Sequence, residues 1–398
     1  MANPLTPTDV YAIVNEISKQ ITGRNALQAV DTTTFLAVGE HLLRTGRENV
    51  LNEISTVLAR TIFSSRAYNR KLSILGATDQ RWGAMIRKIV NLPLDAEESE
   101  DYNTDINPTQ LADGNSIDMY KIKNFKALEL NFYGTKKLQR HFTRYRDQLA
   151  QAFESEAQFA QFIDNALVEF SNDIETQIEG ETRLCLCNMV TGLTASPAQV
   201  IDLTAAYNTK YGTSYTTADL TSTYLEDFAK FFAATIKKYS NAMTDRTNMF
   251  HFNLTGYPDI MRHTPKEKQR MIMYEPLFVD VKANVYSTLF NPEYLDIGGY
   301  EGVNFWQSPR AGYEDQVICK PTYLDVTTGQ CIDAGANVTI DHLVGVLYDV
   351  DAMGINEQFD YTSTTPFNSA GGYANTYYHW RHCYWNDFTE NAVIFVMG

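Results

Sequence analysis

The chain has 398 residues, of which 44% are hydrophobic and 20% charged; this is enough apolar material for one large core or two to three smaller ones and excludes global disorder. A formal net charge of −15 argues against a dedicated nucleic-acid binder, because gripping phosphates needs a basic excess. Five cysteines, an odd number in a long chain, exclude a disulfide scaffold, and no segment approaches the ~20 apolar residues needed to cross a bilayer.

Cys185 and Cys187 are separated by one residue rather than the two of zinc and redox motifs. With Cys319, Cys331 and Cys383 they are expected to be buried small hydrophobes in a reducing cytosol. Met1 to Leu5 carries neither a basic nor an apolar leader region, so the protein is expected to stay in the cytoplasm. Tyr (24) and Phe (21) dominate the aromatics and suit either surfaces that become covered on association or a sugar-binding cleft.

In chain order, two helices are expected within the first 63 residues. Thr6 can cap a helix, Pro7 fits its first position, Asp9 lies in its first turn and Gly23 stops it. Val10, Ile13, Val14, Ile17 and Ile21 share one face, and so short a helix must dock on its own core or on a neighbouring chain. A second helix is expected over 34–60, broken near Gly46, with Val50, Ile54, Val57 and Leu58 as its stripe.

Two strand-like runs follow, 81–92 and 118–133, separated by polar sequence with the turn signals Asn107-Pro108 and Asp113-Gly114-Asn115. They predict an extended β-hairpin arm, which buries little of itself and needs another subunit to cover it. Charge along it is segregated. Asp95, Glu97, Glu98, Glu100, Asp101 and Asp105 occupy the tip with no Lys or Arg between them. Arg66, Arg70, Lys71, Arg81, Arg87 and Lys88 precede the tip, and Lys121, Lys123, Lys126, Lys136, Lys137, Arg140, Arg144 and Arg146 follow it. The tip acids and the basic residues from Lys121 to Arg146 are the candidate assembly contacts, an acidic tip of one subunit meeting a basic patch of the next. Each exposed pair is worth only ~0.2–1 kcal/mol, so repetition around a closed ring must supply the strength.

The clearest helix spans 154–189, where Phe159, Phe162, Ile163, Ala166, Leu167, Phe170, Ile174 and Ile178 form a one-sided stripe. At 1.5 Å per residue it reaches roughly 50 Å, a strut, with Gly180 as a candidate bend. A helix over 224–239 carries Leu225, Phe228, Phe231, Phe232 and Ile236. Strands are expected at 271–281, 317–323, 342–348, 376–385 and 392–397, with a loop at 364–372. No internal repeat or low-complexity tract is present.

Catalytic motifs are missing from the sequence: no phosphate-binding glycine loop, no G-x-S-x-G elbow and no H-E-x-x-H. His379, His382 and Cys383 form the densest metal-like cluster, but on a strand the two histidines point to opposite faces. Asp349 and Asp351, joined by Asp341, share a strand face without EF-hand spacing and are expected to be turn-forming aspartates. Neither metal nor cofactor is expected. Carboxylates and aromatics are abundant enough for a glycoside hydrolase or a carbohydrate-binding protein, a test that any acidic aromatic chain passes.

This order of parts resembles the major capsid proteins of tailed bacteriophages, built on the Hong Kong 97-type fold. The resemblance runs the whole chain and rests on layout and on local stretches: Val30-Asp31-Thr32-Thr33-Thr34-Phe35 leading to Arg60-Thr61-Ile62-Phe63, Gln110-Leu111-Ala112-Asp113-Gly114-Asn115-Ser116, Leu130-Asn131-Phe132-Tyr133-Gly134, and Asn391-Ala392-Val393. It implies an α+β fold with an N-terminal arm (1–63), an extended β-hairpin loop (64–127), a peripheral domain with a long spine helix (128–193), an axial domain (194–340) and a return to the peripheral domain (341–398). It also implies a structural protein that assembles into hexamers and pentamers of an icosahedral shell around phage double-stranded DNA. Portal and scaffolding proteins would be its partners, with cement proteins in some members, and the shell would assemble in the host cytoplasm. Some members crosslink subunits through an arm lysine; Lys88, Lys121 and Lys123 lie in the arm here, with no matching motif to carry that chemistry over. A bacterial encapsulin, which shares the fold but encloses enzymes, is the nearest alternative.

Overall fold

A computed structural model describes residues 156–279 and 299–398 continuously and shorter stretches within 11–42, 71–78, 86–94 and 119–145; the account concerns these residues. In chain order the elements are β1 (Gly76–Thr78), β2 (Ile86–Asn91), β3 (Ala127–Phe132), β4 (Thr135–Tyr145) and the helix α1 (Glu156–Leu193). Then come β5 (Val200–Asp202), α2 (Leu203–Tyr211), α3 (Thr217–Thr221), α4 (Leu225–Ala242), β6 (Gln269–Tyr274) and β7 (Gly299–Val303). The short strands β8 (Val317–Cys319), β9 (Thr322–Leu324), β10 (Cys331–Asp333) and β11 (Val338–Ile340) precede β12 (Leu343–Asp349), β13 (Met353–Thr364), β14 (Tyr373–Asn386) and β15 (Ala392–Val396). The chain divides into two compact units, one made of 1–84, 134–184 and 355–384, the other of 85–133, 185–354 and 385–398.

In the first unit, the described residues between 11 and 19 are helical, with Val14 fully buried. A further helical stretch follows Asp31, whose carboxylate accepts from the Thr34 backbone N–H at 2.8 Å as an N-cap would. Phe35, Val38 and Leu42, spaced three and four apart, are fully buried and give that stretch its inward face. The rest of the second expected helix, with Val50, Ile54, Val57 and Leu58, lies outside the described residues.

The sheet of this unit has the order β1-β13-β14-β4, with β14 and β4 paired antiparallel from Tyr373↔Tyr145 to Cys383↔Thr135. Along β14, Ala374, Thr376, Tyr378, Trp380 and His382 are buried while the residues between Tyr373 and Arg381 on the other face are half-exposed. That two-residue period is what the pleat imposes on a sheet with one covered face. Three of its strands were not expected: the three-residue β1, β4 and β13. β4 carries Lys136, Lys137, Arg140 and Arg144, and β13 has a largely polar sequence in which Asn356 is buried; neither shows the apolar alternation that betrays a strand.

α1 is 38 residues long, about 57 Å at 1.5 Å per residue, and is helical through Gly180, the expected bend. Residues 156–184 belong to the first unit and 185–193 to the second. Ile174, Ile178, Cys185 and Met189 keep the buried stripe, and Arg183 pairs with Glu179 one turn earlier at 2.7 Å.

The second unit is built on the sheet β5-β15-β12-β6-β7. β12 pairs antiparallel with β15 and β6, while β15–β5 and β6–β7 are parallel. All seven residues of β12 are buried, as expected of a central strand covered on both faces. α4 lays Phe228, Phe232 and Ile236 on this sheet, with the Phe232 ring edge-on to Phe395 at 5.6 Å. Thr216 and Asp219 form a capping box at the start of α3, and Gly212 ends α2 at φ 66°, a left-handed conformation suited to glycine. On β12, Gly345 lies against Met271, where a methyl group would come within 2.7 Å of the thioether terminus.

Three expectations need correction here. The strand expected over 271–281 stops at Tyr274, and a 3-10 turn with Pro276 follows at Glu275–Phe278. The strand expected over 317–323 splits into β8 and β9 at Lys320-Pro321, because proline has no N–H to give a ladder. Cys185, Cys187 and Cys383 are buried as expected, but Cys319 is half-exposed and Cys331 exposed, since β10 is one of only two strands in its small sheet.

Candidate assembly surfaces

β2 and β3 form an antiparallel ladder from Ile86↔Phe132 to Asn91↔Ala127. It buries little. Val90 and Leu92 pack with Leu128 and Ile260 in a small cluster, while Ile89 is 57% exposed. Further along the returning limb, Met119, Tyr120 and Ile122 are each more than 80% exposed. Arg87 bridges the ladder to Glu129 at 2.8 Å; both ends are about half in solvent, so the pair contributes no more than ~1 kcal/mol.

What anchors the hairpin root is Lys88. Its ammonium lies 2.6 Å from Asp387 Oδ2 and also contacts Glu390 Oε1, both carboxylates in the turn between β14 and β15. Asp387 and Glu390 are almost wholly buried, and Arg262 Nη2 approaches Glu390 at 3.2 Å. Burial works against the charge on Lys88, but Asp387 and Glu390 outweigh it and hold its pKa above the ordinary value. Burial pushes the Glu390 carboxyl up. Asp387 Oδ1 accepts from the N–H and hydroxyl of Thr389, so the turn itself is ordered by this carboxylate. Beside it, Asn391 Oδ1 lies 3.0 Å from His251 Nδ1, and His251 Nε2 donates to the Ile260 carbonyl at 2.7 Å; burial lowers the His251 pKa.

Asp95, Glu97, Glu98, Glu100, Asp101, Asp105, Lys121 and Arg146 lie outside the described residues. Lys123 and Lys126 are exposed. On β4 the basic residues divide between two faces. Lys136 and Arg140 share the face of Leu138 and form ion pairs within the unit, to Glu181 at 2.5 Å and to Asp173 of α1. Arg144 is in register with Ala374 of β14. Lys137 belongs to the other face, opposite Arg381, and its ammonium lies 5.5 Å from the centre of the Tyr361 ring. The basic set is thus not one patch: two of its members are engaged by the strut helix.

That other face of the sheet carries a ring stack the sequence reading did not single out. Tyr361 of β13 stacks on His379 of β14 at 4.5 Å, His379 is 6.2 Å from Tyr377, and Tyr377 stacks on His141 of β4 at 5.0 Å. The signal was present in the alternation of Tyr377, His379 and Arg381 with the buried Tyr378, Trp380 and His382.

The residues that suggested metals separate as well. His379 and His382 lie on opposite faces, the first in the ring stack and the second buried. Asp349 and Asp351 do not share a strand face: β12 ends at Asp349, which is buried and accepts from Thr264 Oγ1 at 2.8 Å, while Asp351 is in the following turn and faces Lys268 at 3.2 Å. Asp341 is exposed and accepts from Gln316 Nε2. Among the described residues no group of three or more His, Cys, Asp or Glu is placed to hold a metal ion, and no helix is long and apolar enough to cross a membrane.

Solved structures with a similar fold include phage capsids. The capsid structure of Staphylococcus phage Andhra superposes with a TM-score of 0.55 at 9% identity, covering 84% of this chain and 86% of that one. The structure of the head fiber and inner core protein gp22 of native bacteriophage P68 gives 0.51 at 11% identity, covering 82% and 84%. The fold is therefore the α+β, Hong Kong 97-type fold of phage capsid shells. The family model of the Phi29-like phage major capsid proteins matches residues 10–396, and the chain belongs to that family. A search of curated proteins finds no match. The protein is a structural component of a capsid shell and not an enzyme, which sets aside the glycoside hydrolase and carbohydrate-binding alternatives.

Proposed function

We propose that the chain forms hexamers and pentamers that close into an icosahedral shell around phage double-stranded DNA, assembled in the host cytoplasm. In this reading residues 1–63 are an arm, 64–127 the extended loop, 128–193 a peripheral domain with α1 as its spine, 194–340 the axial domain and 341–398 the return. Lys121, Lys123, Lys126, Lys137, Arg144 and Arg146, with the tip acids Asp95 to Asp105, are the assembly contacts that this reading retains; Lys136 and Arg140 have partners inside the chain. Portal, scaffolding and cement proteins are its partners, and DNA is contained without sequence-specific contact, consistent with the charge of −15.

The observation that supports this most is the hairpin: its ladder buries little, and Met119, Tyr120 and Ile122 on the limb leading into β3 are almost fully exposed, apolar surface that another chain would cover. The test is the size of the purified protein. Capsomers or megadalton particles in light scattering and negative-stain microscopy are expected, whereas a persistent 45 kDa monomer at high concentration would overturn the reading.

A further inference from the structure

We infer that His251, Asn391, Thr264 and Asp349 form a proton-linked switch beneath the hairpin root. The neutral and the charged imidazole need opposite orientations of the Asn391 amide, and that orientation decides whether Asp349 keeps its hydroxyl donor. The inference goes beyond the shell reading and does not depend on it.

The surroundings of the ring ask for two donors. His251 Nε2 lies 2.7 Å from the Ile260 carbonyl, which can only accept, so Nε2 carries a proton. Nδ1 lies 3.0 Å from Asn391 Oδ1, a second acceptor. That oxygen is fixed from the far end of its amide: Asn391 Nδ2 donates to Thr264 Oγ1 at 3.1 Å, and the Thr264 hydroxyl gives its single proton to Asp349 Oδ2 at 2.8 Å. Each donor in this series points toward Asp349, and an imidazolium completes it. His251 and Asp349 are 4% exposed and Asn391 and Thr264 0%, so bulk water does not repair a mismatch.

The neutral ring has a lone pair at Nδ1, which then faces the lone pairs of Asn391 Oδ1. Turning the amide over brings Nδ2 to the ring but aims Oδ1 at Thr264. The hydroxyl must swing to Asn391, and the Asp349 carboxylate is left with the Asp351 backbone N–H at 2.9 Å. The forces on the ring are opposed. Burial and then the Arg262 cation disfavour the imidazolium, while Asn391, the Ile260 carbonyl and Asn253 favour it, with a folded pKa below 6.5 as the outcome. Glu390, next to Asn391, is engaged by Lys88 and Arg262. The switch is placed where its state is felt. Ile260 packs with Val90, Leu92 and Leu128 of the hairpin, Asn391 follows the turn whose Asp387 and Glu390 hold Lys88, and Asp349 ends β12. One proton therefore rearranges hydrogen bonds at the hairpin root and at the end of a central strand.

The experiment is a pH titration of the unassembled full-length subunit with nitrogen-labelled histidine, followed by NMR, with the His251 signals assigned by their loss in His251→Gln. The neutral ring is expected to carry its proton on Nε2. Thr264→Val deletes the hydroxyl without changing any charge, and with it the preference that Asp349 confers on the charged ring. The His251 pKa is expected to fall by about one pH unit, the equivalent of one hydrogen bond to a carboxylate. Thr264→Ser keeps the hydroxyl and should keep the wild-type pKa. Should Thr264→Val fail to fold, Thr264→Ala removes the same group and carries the same expectation. An unchanged pKa without the hydroxyl overturns the inference, as does a neutral ring protonated on Nδ1. A shift in Thr264→Ser as large as that in Thr264→Val overturns it too, assigning the effect to packing.

Discussion

Replacing Lys88 by Met removes the anchor of the hairpin root while keeping the length and apolar stem of the side chain. Deleting one partner of a buried ion pair costs about 3–5 kcal/mol, because the other charge is left in a poor solvent. Two features of this site reduce the figure. Glu390 keeps Arg262 at 3.2 Å, and Asp387 keeps both hydrogen bonds from Thr389, at 2.9 and 2.7 Å. A loss of about 2–3 kcal/mol is therefore expected. Arg87 supplies the control one residue away: its pair with Glu129 is half-exposed, and Arg87→Met should cost less than about 1 kcal/mol. Urea unfolding of unassembled subunits measures both, and a double-mutant cycle of Lys88→Met with Asp387→Asn should return a coupling above about 1 kcal/mol. Equal midpoints for Lys88→Met and Arg87→Met would refute the anchor. The pH dependence has a definite sign. Lys88 is raised in the folded protein, so its contribution is complete below the ordinary lysine value of 10.5 and disappears as pH climbs through the folded one.

Three further outcomes are expected. Phe232→Ala empties the junction of α4 with the five-stranded sheet, where the ring is fully buried against Phe395; a loss of about 3–5 kcal/mol should appear in thermal or chemical unfolding. Gly345→Ala drives a methyl group into Met271 and should cost about 1–3 kcal/mol, with partial recovery when Met271 is shortened to Val. His251 has a folded pKa below its ordinary 6.5, so the stability of its neutral form is present above about pH 6.5 and is lost as pH falls toward the folded value. Urea midpoints of a His251→Gln variant should be lower at pH 8 but fall less between pH 7 and 5.

Those elements whose burial repeats with a clean period were legible in the sequence. The strut expected over 154–189 is α1, and the helix expected over 224–239 is α4, because Phe228, Phe232 and Ile236 needed one covered face. β14 was found within a few residues for the same reason, whereas β12 and β15, almost continuously buried, were legible as short apolar runs. β4 was missed because its alternation is concealed by charge: one face is neutralised by Glu181 and Asp173, the other is open, so Lys and Arg occur on both. The separate roles of Lys136 and Lys137, adjacent and chemically alike, depend on a partner helix whose residues lie some distance along the chain. Asp387 and Glu390 went unnoticed for a similar reason, since nothing local in a turn announces that a lysine three hundred positions earlier will reach it.

The strands that complete both sheets come late in the sequence. β13 and β14 fill the middle of the four-stranded sheet, and β15 lies inside the five-stranded one, between β5 and β12. These segments are synthesised last, so the four-stranded sheet cannot close before Asn386 has emerged, nor the five-stranded one before β15 has. A chain halted before β15 accordingly lacks an interior strand of the second unit's sheet, and such fragments are expected to be missing from assembled particles.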